Sequence, residues 1–399
     1  MWIGDTHAHT HCRVCGTALE EPYLDLGVQP LANGFLDAPH LTKPEFTAPL
    51  QVVRCARCGL SQLTMVIARD QLYSTYPFQS GVSPGWRRHC TALAESYSRT
   101  QTNRLILDIG SNDGTMLQAF LTKGHRVIGI EPAGNLEAPL PIHTIQAFWS
   151  APTARVVQES YGFADLVLAS NVVGHVDDLH DFFDGIRTVL APQGTCCIEV
   201  PHIEQLLNQN AFDTIYHEHL SYWSLRPLQE IARQSQLCVY DVQAIDVHGG
   251  SWRYYLCHES SAHLTAAVAH LWSHETRTLG TPEPYHAFAG RVADLCTSLL
   301  QAFDRPGLCG LGAPAKGNTL LNTVGGRKLH TIFDDSPEKQ GLFTPGQHIP
   351  VHGFRDLSEV PSLVILAWNW AADLKRRAKE WNFDGEFLTP IPTPVWEGQ

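Results

Sequence analysis

No stretch of eighteen uninterrupted apolar residues occurs in this chain, so no transmembrane helix is expected. The first residues, MWIGDTHAHTHC, have neither a basic flank nor an apolar core, so a secretory signal is not expected either. Positive charge is scarce: 28 Lys and Arg stand against 40 Asp and Glu, a formal net charge of -12, with no dense basic run. A polyphosphate backbone repels such a chain, which argues against a nucleic-acid partner and leaves room for a local basic pocket holding a small anion. What is present is a globular composition, 44% hydrophobic and 17% charged. The length of 399 residues predicts two to three domains at roughly 100–200 residues each.

Eleven cysteines are an odd total, and without a secretion signal they do not read as a disulfide framework. A reducing cytoplasm with one metal site and mostly inert thiols fits better. Four of them form two CxxC pairs, Cys12 with Cys15 in CRVCG and Cys55 with Cys58 in CARCG. Each pair converges two thiolates, and the following glycine permits the tight turn. Four thiolates close a tetrahedral zinc site and leave no open position, so its role is structural. The 39 residues between Cys15 and Cys55 exceed the usual ribbon spacing. Doubling a loop costs only about 0.6 kcal/mol, against zinc binding on the order of 10 kcal/mol. A redox pair or packed thiols is the competing reading. His7, His9 and His11 lie just upstream and read as a disordered His-rich end, with alternative metal ligands as the competing reading.

A nucleotide-binding pattern follows. In RLILDIGSNDGTMLQAFLTKG, Leu105 to Ile109 is an apolar strand run, GSNDG a glycine-bounded turn, and Thr115 to Lys123 a helical repeat closed by Gly124. RVIGIEP is the next strand, with Glu131 at its end. Strand, glycine turn, helix, strand and acid open a doubly wound α/β unit. The turn is not GxGxxG: Asn112 and Asp113 lie between Gly110 and Gly114. A carboxylate there suits a ligand with positive charge, such as the sulfonium and ammonium of S-adenosylmethionine, and Glu131 suits a ribose diol. A generic Rossmann turn for another nucleotide is the alternative. ADLVLASNVVGHV gives a further strand, and Asn171 to His175 leave its carboxyl end, where ligands bind in open α/β sheets. With Asp108 before the turn, the cofactor set expected is Asp108, Gly110, Asn112, Asp113, Gly114, Glu131 and Asn171.

After the next strand, TCCIEVP, comes the densest cluster in the chain: Tyr216, His217, Glu218 and His219, in YHEHLSYWS. It could bind a metal, move a proton or brace a helix. Adjacent residues point apart, which disfavours a shared metal. In DVHGGSWRYYLC, His248, Gly249 and Gly250 form a turn that lets backbone approach a ligand. Further on, GLCGLGAPAKGNTLLNTV repeats strand, glycine turn and helix, with Lys316 at the helix start, and HTIFDDSPEKQG ends a strand at Asp334 and Asp335. A helix N-terminus with a lysine attracts an anion, and a nucleotide diphosphate is the natural candidate. A structural duplicate without a ligand is the alternative. The expected architecture is α/β: a zinc-binding module over residues 1–72, a central Rossmann-like methyltransferase domain over 73–258, and a second Rossmann-like domain over 259–399.

The four-cysteine module, the sulfonium-type unit and the second unit stand in this order with SNVVGHV, YHEHLSYWS, HGGSWR and GAPAKGNTLLN. Together they resemble the nucleotide-sugar C-methyltransferases, in particular the 3-C-methyltransferases of branched deoxysugar pathways. The resemblance runs from about Cys12 to Trp370. It implies a dTDP- or GDP-linked 4-keto-6-deoxyhexose, methylated at its third carbon, held between the middle and C-terminal domains. The family's Tyr-x-Glu-His falls on Tyr216, Glu218 and His219, and its loop histidine on His175. The substrate set implied is Tyr73, Tyr76, His248, Gly249, Lys316, Asn318 and Asp334. The loop NVVGHV departs from the family in lacking a bulkier residue before the histidine, which touches sugar shape more than chemistry.

A C–H beside a ketone needs a base and a donor to the enolate oxygen, and a histidine near neutral pKa suits the first task. His219 is therefore the expected base, Tyr216 and His175 the donors, and Glu218 an orienting or hydroxyl-binding group. No metal is needed at the reaction centre. A zinc-finger RNA methyltransferase, a sugar O- or N-methyltransferase and a non-catalytic binder are the rivals. A cytoplasmic monomer or weak oligomer is expected.

Overall fold

The computed structural model describes residues 6–73, 79–247, 249–325 and 329–398. The cysteine-bearing module is made of short strands: β1 (His7–Ala8), β2 (Leu24–Pro30), β3 (Thr47–Arg54), β4 (Ser61–Leu63) and β5 (Met65–Val66), followed by helix α1 (Arg69–Tyr73). The His-rich start is not a disordered end. β1 pairs antiparallel with β5, His7 opposite Val66, and the His9 amide donates to the Thr64 carbonyl at 2.8 Å.

The middle unit starts with α2 (Pro84–Ser98), whose Ser83 side chain accepts from the Trp86 amide with Pro84 in the first turn. Its strands are β6 (Leu105–Ile109), β7 (Arg126–Ile130), β8 (His143–Ile145), β9 (Ala164–Ser170) and β10 (Leu190–Pro201). They pair in parallel in the order β8, β7, β6, β9, β10. All five residues of β6 are buried, as a central parallel strand covered on both faces requires. Helices α3 (Thr115–Leu121), α4 (Ala151–Tyr161) and α5 (Leu179–Val189) cross between strands. In α5, Leu179, Phe182, Phe183, Ile186 and Val189 form one buried stripe at helical spacing.

After α6 (Ile203–Asn208) the chain leaves this sheet. β11 (Ser221–Tyr222) pairs antiparallel with β4, so the N-terminal sheet reads β11, β4, β3, β2. Helix α7 (Leu225–Gln234) returns the chain to β12 (Leu237–Ile245) and β13 (Ser251–His258). β13 inserts antiparallel between β10 and β12 and completes a seven-stranded sheet.

Helices α8 (Ala266–Thr278) and α9 (Glu283–Ala302) lead to β14 (Leu308–Leu311), α10 (Ala315–Val324), β15 (Ile332–Phe333), β16 (Val351–His352), β17 (Ser362–Ile365), α11 (Ala371–Glu380), β18 (Glu386–Thr389) and β19 (Val395–Glu397). The sheet order is β16, β15, β14, β17, β18, β19, parallel except for the last pair. This is the strand order of a doubly wound Rossmann fold. Its core is continuous with the N-terminal module: Leu24, Leu50 and Val52 pack in one cluster with Phe288, Leu320 and Val364.

Candidate active site

Four buried or half-buried sulfurs converge at the tip of the N-terminal module. Cys12 Sγ lies 3.5 Å from Cys58 Sγ, and Cys15 Sγ lies 3.5 Å from Cys55 Sγ. That is far beyond a disulfide bond, and near the roughly 3.8 Å that separates two thiolates held about 2.3 Å from one zinc. Gly16 and Gly59 follow the pairs with φ of 66° and 83°, and each donates its amide back to the first cysteine's carbonyl at 2.9 Å. Neighbouring thiols, and then burial, hold Cys58 well above its usual range. A divalent cation relieves that crowding, so the donor set fits zinc as a closed structural centre.

The loop expected to hold the cofactor sits at the carboxyl ends of β6 and β7. Gly110 has φ 69°, and a Cβ there would stand 2.6 Å from Val172, so the loop lies hard against the one leaving β9. Glu131 accepts from the Asn112 amide through one oxygen and from the Ala133 amide through the other, both at 2.9 Å. Asp113 caps α3 through Thr115 and also accepts from the Gly81 amide at 2.7 Å. Asn112 accepts from the Ser80 amide at 2.9 Å, so residues 80–81 lie directly on the loop.

Burial, then Glu131 and Glu199, push Asp108 well above the carboxylate range. Glu199, at the end of β10, is buried against His89 at 2.8 Å and Arg253 at 2.6 Å. Burial opposes its charge, but those two partners outweigh it and hold it below its usual value. Asp108, Glu131 and Glu199 thus crowd the strand ends, with Glu199 paired to the Arg253 guanidinium, a setting that suits a cationic ligand. Asn171, with φ 58°, closes this edge by donating its amide to the Glu199 carbonyl at 2.8 Å.

The Tyr216–His219 segment follows a short 3-10 turn (Phe212–Thr214), and its side chains diverge. His217 is buried and turned toward the N-terminal module, with Nε2 3.3 Å from the Pro49 carbonyl. Glu218 is buried with one oxygen taking the Asn33 amide group at 2.8 Å and the other without a hydrogen-bond partner among the described residues. Burial pushes its carboxyl up to about 7. His219 Nδ1 lies 2.7 Å from the Thr214 carbonyl. A carbonyl only accepts, so Nδ1 carries the proton and the neutral ring keeps its lone pair on Nε2. The Tyr216 ring packs on it at 4.0 Å, and the His175 ring meets it edge-on at 4.9 Å between centroids.

His175 stands on the 3-10 turn after β9 (Val173–His175), where burial pushes its ring down to about 4, so it is neutral at pH 7. The Tyr73 hydroxyl lies 3.0 Å from His175 Nδ1 and donates to the Glu218 carbonyl at 3.0 Å. With that proton committed, the hydroxyl accepts from Nδ1–H, and His175 Nε2 is left as an acceptor. The structure thus brings the rings of Tyr73, His175, Tyr216 and His219 together, and joins Glu218 to them through its backbone carbonyl. Tyr76 and His248 lie outside the described residues. Gly249 is exposed and its carbonyl accepts from Gln209 at 2.8 Å, beside α6.

The second unit meets the same turn from its other side. Asp213 is buried, accepts from the Trp368 indole at 2.7 Å, and is raised to about 6 by burial with Lys316 working the other way. Lys316 Nζ lies 4.0 Å over the Trp368 ring and 2.6 Å from Asn369 Oδ1. Burial lowers Lys316 to about 8, so it remains a cation at neutral pH. Asn318 is buried and donates to the Ala32 carbonyl at 2.7 Å, beside Asn33. Asp334 spends its oxygens on the Ala313 amide at 2.6 Å and the Ser336 amide at 2.8 Å, bracing the glycine turn as Glu131 does in the middle unit.

Sequence reasoning missed Asn33, Asp213, Trp368 and the Glu199, His89, Arg253 group. Glu199 and Arg253 carried a signal, each a charge inside a strand run, TCCIEVP and SWRYYLC.

The raised Glu218 carboxyl makes a test of this geometry. Between pH 4.5 and 7 the folded chain holds a proton there that the unfolded chain has lost, so this group's contribution favours folding at low pH and fades as pH rises. Glu218→Gln keeps an acceptor for Asn33 and cannot ionise. It is expected to be more stable than the parent above pH 7, by at most about 3 kcal/mol, with no gain at pH 4. Thermal melts at pH 4 and pH 8 check this, and an equal difference at both would contradict it.

Three family models match the chain: a zinc binding domain over residues 12–73, a methyltransferase domain over 84–242 and a C-methyltransferase C-terminal domain over 246–392. The chain is 33% identical to the C-methyltransferase NovU of Streptomyces niveus, over 96% of each. It is 32% identical to the ubiquinone biosynthesis O-methyltransferase of Nitrobacter winogradskyi, over 22% of this chain and 35% of that one. A SAM dependent methyltransferase from Archaeoglobus fulgidus matches 43% of this chain and 93% of its own, at 15% identity and a TM-score of 0.35, which is too low to carry weight.

Proposed function

The chain belongs to the C-methyltransferases, and on that premise we propose that it methylates C3 of a nucleotide-linked 4-keto-6-deoxyhexose through an enolate. S-adenosylmethionine, bound on the Gly110–Gly114 loop of the middle unit, supplies the electrophilic methyl group. The observation that carries the reading is the hydrogen bond from His219 Nδ1 to the Thr214 carbonyl. It fixes the tautomer, so that Nε2 is the basic nitrogen that takes the proton from the carbon beside the ketone.

The remaining roles are assigned to fit the contacts. The Tyr216 hydroxyl is the donor for the developing enolate oxygen. His175, neutral and with Nε2 as acceptor, receives a sugar hydroxyl. For His175 to act as a donor instead, the Tyr73 hydroxyl would have to turn from the Glu218 carbonyl to Nδ1. Glu218 holds a second hydroxyl through the oxygen that Asn33 does not occupy. The diphosphate lies at the start of α10, where Lys316 adds its charge to the helix amides. Asn318 and Asp334 act there as braces, and Tyr73 closes the site from the N-terminal side.

The sugar therefore lies between the middle and C-terminal units, taken as 73–258 and 259–399, with residues 1–72 as the zinc module. The nucleotide is dTDP or GDP, and the enzyme acts in the cytoplasm in branched deoxysugar synthesis. S-adenosylmethionine carrying a labelled methyl group, turned over with a panel of nucleotide keto-sugars, is expected to place its label on a sugar carbon. Label on oxygen or nitrogen, or none on any keto-sugar, would overturn the reading.

A further inference from the structure

Away from the His219 turn, a second set of ligand-type side chains converges on one point. His7 and His9 are two positions apart on an extended segment, so their rings project to the same side. Their Nε2 atoms are 3.3 Å apart. Both face Asp177, which follows the 3-10 turn of His175: His9 Nε2 is 2.8 Å from Oδ1 and His7 Nε2 is 3.3 Å from Oδ2. We propose that His7, His9 and Asp177 form a second divalent-metal site, separate from the four-cysteine centre, and that its ion is zinc or a similar borderline cation.

The spacing is that of ligands around one ion. Two donors about 2.1 Å from a metal and about 90–110° apart stand about 3.0–3.4 Å from each other. The three observed separations fall within about 0.2 Å of that range. Two imidazoles and one carboxylate are a recurrent set for zinc and its neighbours, with solvent completing the shell. Hydrogen bonds alone serve the cluster less well. If both Nε2 atoms carry protons toward Asp177, two N–H groups face each other across 3.3 Å. If one is bare, Asp177 loses a donor. A cation satisfies all three sets of lone pairs at once.

The supporting contacts are those of a metal carboxylate. Arg13, buried inside the first cysteine knuckle, donates Nε to Asp177 Oδ1 at 3.1 Å and Nη1 to the Leu63 carbonyl at 3.0 Å. This orients the carboxylate in the way outer partners orient ligands. It also places a positive charge near the ion, so binding here is weaker than at the cysteines. With His7 half-exposed and His9 and Asp177 part-covered, an ion reaches the site from solvent. Asp177 lies two residues beyond His175, so an ion here ties β1 to the loop that carries the site histidine.

The test is zinc stoichiometry on the full chain with its four-cysteine zinc retained. Dialysis against zinc sulfate is expected to add a second equivalent to the parent protein and none to the His7→Ala/His9→Ala double variant. With cobalt in place of zinc, the second equivalent is expected to bind without a thiolate charge-transfer band. His7→Ala alone, at a strand end, serves as the variant if the double one loses its cysteine-bound zinc. One equivalent in the parent, or equal uptake by parent and variant, would overturn the proposal.

Discussion

Replacing His219 with Asn is expected to lower kcat for methyl transfer by on the order of 10²–10⁴-fold, the usual contribution of a general base. Asn is the informative substitution because its amide nitrogen can still donate to the Thr214 carbonyl, which His219 reaches at 2.7 Å. The turn keeps its shape while the basic nitrogen disappears. S-adenosylmethionine binding is expected to be unchanged, since the Gly110–Gly114 loop is held by Glu131 and the Ile130 carbonyl rather than by the histidine. A loss confined to kcat therefore assigns the ring to the chemical step. A variant within a few-fold of the parent would remove His219 from the mechanism.

Removing the four-cysteine zinc has the other large expected effect. Zinc at such a site contributes on the order of 10 kcal/mol, comparable to the whole stability of a domain at about 5–15 kcal/mol. The module it closes is also structurally tied to the His219 turn and its neighbours. Its β4 pairs with β11, Asn33 donates to Glu218, Pro49 accepts from His217, and Arg13 bridges Leu63 and Asp177. Cys55→Ser, or a strong chelator, is expected to expose β3 and β4 to hydrogen exchange and to abolish methyl transfer with it. Exchange mass spectrometry and an activity assay on the same samples measure both. Full protection and full activity in zinc-free protein would show that the cysteines are merely packed.

How far the sequence could be read follows the range of the interactions. The two glycine turns were legible because a turn, its flanking strand and its helix are local: Gly110, Gly114 and Gly312 take left-handed backbone, β6 is apolar but for Asp108, and β14 is a continuous apolar run. The cysteine pairs were legible for the same reason, through a fixed spacing and a following glycine. The divergence of His217 from Glu218 and His219 also follows from adjacency alone. The partners of that turn were not legible. Asn33 lies 185 positions from Glu218, and Trp368 lies 155 from Asp213. No periodicity predicts which loop of one unit meets which turn of another, because that is decided by how the whole sheets pack. The order of the His-rich start was missed on similar grounds. It depends on pairing with β5 and on Asp177, both distant in sequence.

The most direct test is solvent exchange at the sugar carbon in heavy water, with S-adenosylhomocysteine occupying the cofactor loop so that no methyl can move. The parent enzyme is expected to wash deuterium into the position beside the ketone, and His219→Asn to lose that exchange. Wash-in at equal rates with both proteins, or none with the parent while methyl transfer proceeds normally, would contradict a proton abstraction by His219.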